Sequence, residues 1–215
     1  MSRYIQNLIH QGEHQQQDFK FEINDARKIA RSLVAFSNTN GGKLLIGVKD
    51  NGNIAGIRSE EEYHMLEAAA QMYCRPAVKF TFQKWTIQGK TILEVDIAEG
   101  DHKPFLAMSD DKKWLAYVRV DDQNLLANTV MIKVWRKEKS RKGIRLAYRE
   151  TEKILMDFLE QNSRITISKF CRIGKISRGK AEDILADLVV LEILRIHFSE
   201  KETWYSLAPD IRGEK

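Results

Sequence analysis

Two acids and a lysine crowd one short stretch near the start of the chain: Glu13, Asp18 and Lys20, in GEHQQQDFKFE. Two carboxylates and an ammonium this close can pair with one another, which makes a salt-bridged structural cluster. Asn40-Gly41-Gly42-Lys43 offers a second kind of chemistry, since glycines followed by lysine are the materials of a phosphate-binding loop. A Walker loop, however, needs Gly where Ser37 stands and Ser or Thr where Leu44 stands, with a strand before it and a helix after it. Here the helical pattern comes first and the strand second, so the loop fails as a Walker site and ATP is not expected on sequence grounds. The two cysteines, Cys74 and Cys171, lack metal-ligand spacing and read as reduced thiols, buried or incidental. Between Lys133 and Arg149 stand eight basic residues (Lys133, Arg136, Lys137, Lys139, Arg141, Lys142, Arg145, Arg149) against one acid, Glu138. That run suits either phosphate contact or a solvated helical face.

A chain of 215 residues, 43% hydrophobic, can bury two cores, and its net charge of +5 allows a polyanionic partner without requiring one. The longest apolar runs, Leu44–Val48 and Leu188–Leu191, are far shorter than a membrane span, and MSRYIQNLIHQGEH lacks the apolar core of a signal peptide. The expectation is a cytoplasmic protein with no membrane partner.

The elements that must position these groups follow from periodicity. Tyr4–Ile9 is amphipathic and Gln17–Phe21 alternates as a strand. Asn24 is placed to cap a helix on which Ala26, Ile29, Ala30, Leu33 and Val34 share a face. Gly41 and Gly42 end it. Lys43–Val48 reads as a buried strand, Asp50-Asn51-Gly52-Asn53 as a tight turn and Ile54–Ile57 as a short return strand. Ser59 is placed to cap a second helix, with Glu60–Glu62 at its positive end. Val78–Trp85 and Thr91–Ile97 make a hairpin turned at Gln88-Gly89, and Trp114–Val120 a further strand. The fold class expected is α+β, a mixed sheet with helices over residues 1–130. A basic connecting helix or linker follows at 131–149, then a small domain at 150–210.

Together, the GEHQQQDFKFE stretch, the helix leading into VAFSNTNGG, the strand KLLIGV and the turn in KDNGNIAGI resemble the Schlafen AlbA-like domain family. Lys103-Pro104 and Ala116-Tyr117-Val118-Arg119-Val120 look like further blocks of that family, so the resemblance covers roughly residues 5–130. It implies a DNA-binding domain of transcriptional regulators. Members that cleave RNA rely on three carboxylates, which by position match Glu13, Asp18 and Asp50. Through them the resemblance implies an endoribonuclease-like alternative with Mg²⁺ or Mn²⁺ activating water. Two departures stand out: Asp18 where the pattern has Glu, and Lys49 beside Asp50 where an acid is frequent. Lys49 is placed to supply the charge a metal would otherwise bring. Relatives also carry a label as divergent ATP-binding proteins, and the residues here do not supply that site.

Beyond the basic run, the order is helix (Thr151–Gln161), short extended entry (Ile165–Ile167), small helix (Ser168–Cys171) broken at Gly174, helix capped by Ser177, and hairpin (Leu194–Phe198 with Thr203–Leu207). This is the winged helix-turn-helix order. Its third helix would present Lys175, Ser177, Arg178 and Lys180 to duplex DNA, with Arg172 on the preceding turn and Arg195, His197 and Lys201 on the hairpin. Trp204 and Tyr205 read as hairpin packing. From the connector, Arg136, Lys137, Lys139, Arg141 and Lys142 would add phosphate contacts. Glu182, Asp183 and Asp187 oppose this, because they repel phosphates if they face the groove. The reading is a nucleic-acid-binding regulator that favours duplex DNA, with RNA as the other substrate and a homodimer as the expected assembly. The alternatives are a metal-dependent nuclease acting on RNA or single-stranded DNA through Glu13, Asp18 and Asp50, and a protein-interaction scaffold.

Overall fold

A computed structural model describes residues 2–140 and 148–209. Arg141, Lys142 and Arg145 lie outside the described residues. The chain divides into two compact units, Met1–Leu126 and Ala127–Lys215.

The first unit opens with α1 (Ser2–Gln11), β1 (Gln17–Lys20), α2 (Ala26–Asn38) and β2 (Gly42–Ile46). It continues through α3 (Glu61–Met72), β3 (Cys74–Arg75), β4 (Phe80–Ile87) and β5 (Lys90–Ile97). The short strands β6 (Leu106–Met108), β7 (Trp114–Leu115), β8 (Tyr117–Val120) and β9 (Gln123–Leu126) complete it. Its main sheet runs β1-β2-β5-β4. β1 lies parallel to β2, and the other pairs are antiparallel. A parallel pair needs a crossover, and α2 provides it.

Side chains alternate between the two sheet faces, and each face has its own core. Leu44, Ile46, Leu93 and Val95 pack with Leu33 and Phe36 of α2 and Leu66 of α3. Phe19, Leu45 and Ile92 pack on the other face with Ile5 of α1, whose complete burial contributes about 2 kcal/mol. The fold class is thus α+β, with a mixed sheet between helices. Gln88 and Gly89, both at positive φ (52° and 74°), make the two-residue turn between β4 and β5.

Local chemistry moves several boundaries. The N-cap of α2 is Asp25 rather than Asn24, its Oδ1 accepting the Arg27 N–H at 2.9 Å. α3 begins at Glu61, whose N–H donates to Ser59 Oγ at 3.2 Å. The return strand at 54–57 shrinks to one bridge, Val48 to Ile54. Both following amides, of Ala55 and Gly56, turn instead to the Gly47 carbonyl at 2.8 and 2.9 Å. The 114–120 run splits, β7 pairing with β6 and β8 with β9.

The second unit contains α4 (Thr129–Glu138), α5 (Glu150–Gln161), α6 (Ile167–Gly174), α7 (Arg178–Val190) and the hairpin β10 (Leu194–Phe198) and β11 (Thr203–Leu207). Ile165 adds an edge bridge to Tyr205, each amide donating to the other's carbonyl at 2.9 and 2.8 Å. Leu155, Phe170, Leu185, Leu188 and Tyr205 form the core. Val130 and Val134 belong to the same core, so the basic segment begins as a packed helix of this unit rather than a free connector. Asn128 caps that helix, accepting the Met131 N–H at 2.9 Å. The left-handed residue after α6 is Lys175 (φ 49°), not Gly174. Gly174 serves packing instead: a Cβ there would sit 3.3 Å from Thr151 Cγ2.

Candidate functional site

Asp18 sits on β1 in a fully enclosed position, 2% exposed. Lys20, two residues on and on the same strand face, places its Nζ 2.9 Å from Asp18 Oδ2. Ser32 Oγ donates to the same oxygen at 3.2 Å, and Arg119 Nη2 lies 3.5 Å from Oδ1. Arg119 is as deeply buried as Asp18. Its Nη2 donates to the Gln17 carbonyl at 2.9 Å and the His14 carbonyl at 3.3 Å, its Nη1 to Asn124 Oδ1 at 3.2 Å. The guanidinium lies 5.1 Å from the centroid of the Phe36 ring. A buried carboxylate thus has two cations and a hydroxyl around it, the arrangement that offsets the cost of burying its charge.

Glu13 joins from the preceding loop, its Oε1 accepting the Phe19 N–H at 2.8 Å. Burial, a side-chain hydrogen bond with Asp18 and the charge on Asp18 push Glu13 up to about 7, against the opposing pull of the Phe19 N–H and Lys20. Glu13 and Asp18 therefore form a neighbouring acid pair.

Asp50 does not join them. It lies exposed on the turn after β2, and among the described residues no three His, Cys, Asp or Glu side chains gather where one ion could be held. Lys49 does not enter the acid pair either; its Nζ lies over the Phe21 ring at 5.1 Å. The metal site implied by Glu13, Asp18 and Asp50 does not fit this fold. Lys20, Ser32 and Arg119 already occupy the Asp18 oxygens that would serve as ligands.

The glycine pair has a packing role. A Cβ on Gly41 (φ 66°) would lie 2.7 Å from the Ile97 carbonyl oxygen, and one on Gly42 2.5 Å from the Phe36 ring. Asn38 ties distant segments together. Its Oδ1 accepts the Phe105 N–H at 2.7 Å, and its Nδ2 donates to the Phe105 and Tyr117 carbonyls at 2.8 and 2.9 Å.

In the second unit the basic residues separate into two sets. Lys133 Nζ reaches Asp183 at 2.8 Å and Glu182 at 3.3 Å, and Lys137 Nζ reaches Asp187 at 2.5 Å. Two lysines four residues apart on α4 therefore match two acids four residues apart on α7, so the helices run in the same sense. Gly179, Asp183 and Asp187 form a stripe turned away from the core stripe of Ala181, Leu185 and Leu188. The Gly179 carbonyl also accepts from Lys133, at 3.4 Å. Ala186 is fully buried in the same core as Val130 and Val134 of α4. α4 thus lies along a flank of α7 that a groove-inserted helix leaves open, and it pairs the acids expected to repel phosphate. Arg178 is also engaged, with Nε 3.2 Å from Glu182 Oε1.

Arg172, Lys175, Ser177 and Lys180 remain exposed around the N-terminal end of α7, as do Arg136 on α4, Lys139 just past its end, and Arg195 and Lys201 on the hairpin. Ser177 caps α7 through the Lys180 N–H at 3.4 Å, and Lys175 occupies its left-handed seat between the two helices. Tyr205 faces the core, where burial pushes its hydroxyl up to about 12 and Asn128 Nδ2 donates to it at 3.3 Å. Trp204 points the other way and stacks on His197.

Among the described residues, no helix is long and apolar enough to cross a membrane. Comparison with solved structures finds likeness to the DIP2311 protein from Corynebacterium diphtheriae, at 19% identity and a TM-score of 0.44. That match covers 60% of this chain and 25% of the other, so the chain spans about a quarter of that protein's length. The N-terminal domain of a RecG-related protein from Nitrosomonas europaea is similar at 18% identity and a TM-score of 0.37, over 62% of this chain and 87% of that one. No curated protein matches. The model of the Schlafen, AlbA_2 family matches residues 13–128, which holds the acid–cation cluster, the glycine pair and Arg119. Through that match, which spans more than half of its length, the chain belongs to the Schlafen, AlbA_2 family.

Proposed function

We propose that the protein binds nucleic acid, with duplex DNA its preferred form, and that the second unit acts as a winged helix-turn-helix whose contacts come from the α6–α7 turn and the hairpin. One observation carries this reading. Arg172, Lys175 and Lys180 are exposed together around the start of α7, while the acids further along that helix are paired with Lys133 and Lys137. A helix N-terminus surrounded by cations suits phosphate oxygens, and Arg172 can in addition reach a guanine edge. Because α4 lies along the flank of α7, the helix meets DNA by its tip and not by its full length. The role that fits is regulation of transcription, with the Schlafen AlbA-like unit as its partner domain.

The test is an equilibrium titration of labelled duplex at several salt concentrations. The expected result is affinity that falls steeply with salt and drops several-fold in Arg172→Ala and in Lys180→Ala. Wild-type affinity in both variants would remove the α7 tip from the interface.

A further inference from the structure

The outer face of the β10–β11 hairpin carries groups that the acid–cation cluster and the α7 tip do not use. His197 and Trp204 are cross-strand partners whose ring planes lie 6° apart, with centroids separated by 5.4 Å. The Arg164 guanidinium lies 5.5 Å from the Trp204 ring centroid, and Arg164 Nη1 is 3.4 Å from Glu202 Oε1. His197 Nε2 and Ser206 Oγ are 2.8 Å apart, which fixes the imidazole in the stack. These four residues, Arg164, His197, Trp204 and Ser206, line one open cleft of about 540 Å³. Alternation along β11 sends Tyr205 into the core, so the core does not need the indole of Trp204. Arg195, on β10 two residues before His197, shares the outer face with it. Burial, and then the charge of Arg195, lower the His197 pKa, which favours the neutral imidazole in the stack.

An aromatic stack with an exchangeable guanidinium over its indole, and a second arginine on the same strand face, matches a planar base joined to a phosphate. We propose that this cleft takes an unpaired nucleotide of single-stranded nucleic acid, its base replacing the Arg164 guanidinium on the Trp204 face and its phosphate meeting the released Arg164 and Arg195. The cleft is open, so a strand can enter and leave along the hairpin. This site shares the hairpin with the duplex reading but goes beyond it, resting on the cleft's own geometry and not on the α7 tip.

The experiment follows tryptophan fluorescence and the anisotropy of a labelled oligonucleotide as the full chain is titrated with a short oligothymidylate, and with thymidine monophosphate in parallel. The oligonucleotide should quench fluorescence. Trp204→Phe should abolish the quench while keeping most of the affinity, because a ring remains. Trp204→Ala should lose roughly tenfold or more and Arg164→Ala several-fold, each with the thermal melt of the parent. Should Trp204→Ala fail to fold, Trp204→Phe and Arg164→Ala still decide the matter. A quench that persists in Trp204→Phe, unchanged affinity in Arg164→Ala, or monophosphate binding as tight as the oligonucleotide would overturn the proposal. Lys180→Ala separates the two interfaces: it should weaken duplex binding and leave the oligothymidylate quench intact.

Discussion

Glu13 is raised from 4.5 to about 7 by burial first and Asp18 second. A carboxyl that holds its proton more tightly folded than unfolded favours the fold while protonated. Stability is therefore lost as pH rises from about 4.5 through about 7. Partial exposure screens the effect, leaving an expected loss of about 1 kcal/mol. Glu13→Gln keeps an oxygen for the Phe19 N–H and should flatten this slope, so chemical denaturation at about pH 5 and about pH 8 checks it. Arg119→Met should cost about 3–5 kcal/mol in the same assay, because Asp18 would lose a buried cation and the Gln17 and His14 carbonyls one of their two donors. The Asp18–Lys20 pair was legible in the sequence, since residues two apart on a strand share a face. Arg119 was visible only as part of a family block. Its one independent signal is a charged residue between Val118 and Val120 in a strand, and a pairing across roughly a hundred residues leaves no local pattern. The turn carrying Asp50 was also legible, but its distance from the other acids depends on how the sheet folds.

At the scale of elements, most helices and the β4–β5 and β10–β11 hairpins follow from hydrophobic period and turn chemistry, and the boundaries shift where a neighbouring side chain or carbonyl competes. The α4–α7 contact is different. A basic run and an acidic helix face are each visible in sequence, yet their pairing is tertiary. Ala186 marks where α4 approaches, and Ala186→Leu should cost about 1–3 kcal/mol by overpacking, measured as a lowered denaturation midpoint. Lys175 holds a left-handed conformation that glycine adopts with less strain. Lys175→Gly should therefore leave stability unchanged or raise it by up to about 1 kcal/mol while weakening duplex binding, the pattern expected when a strained residue is retained for contact.

For the whole molecule, net charge alone does not locate an interface. Of its basic residues, Lys133 and Lys137 neutralise acids on α7, Lys20 and Arg119 hold Asp18, and Lys43 bridges Glu94 and Asp96. What remains exposed at the α7 tip and on the hairpin is the surface assigned to nucleic acid. The measurement that tests this most directly is the salt dependence of duplex binding in Lys180→Ala beside Lys137→Ala. Lys180→Ala should weaken binding and reduce the slope of log affinity against log salt by about 1. Lys137→Ala should bind as the parent does and lose about 1 kcal/mol of stability through its broken pair with Asp187. The reverse, a reduced slope in Lys137→Ala with Lys180→Ala unaffected, would contradict the account and move the interface to α4.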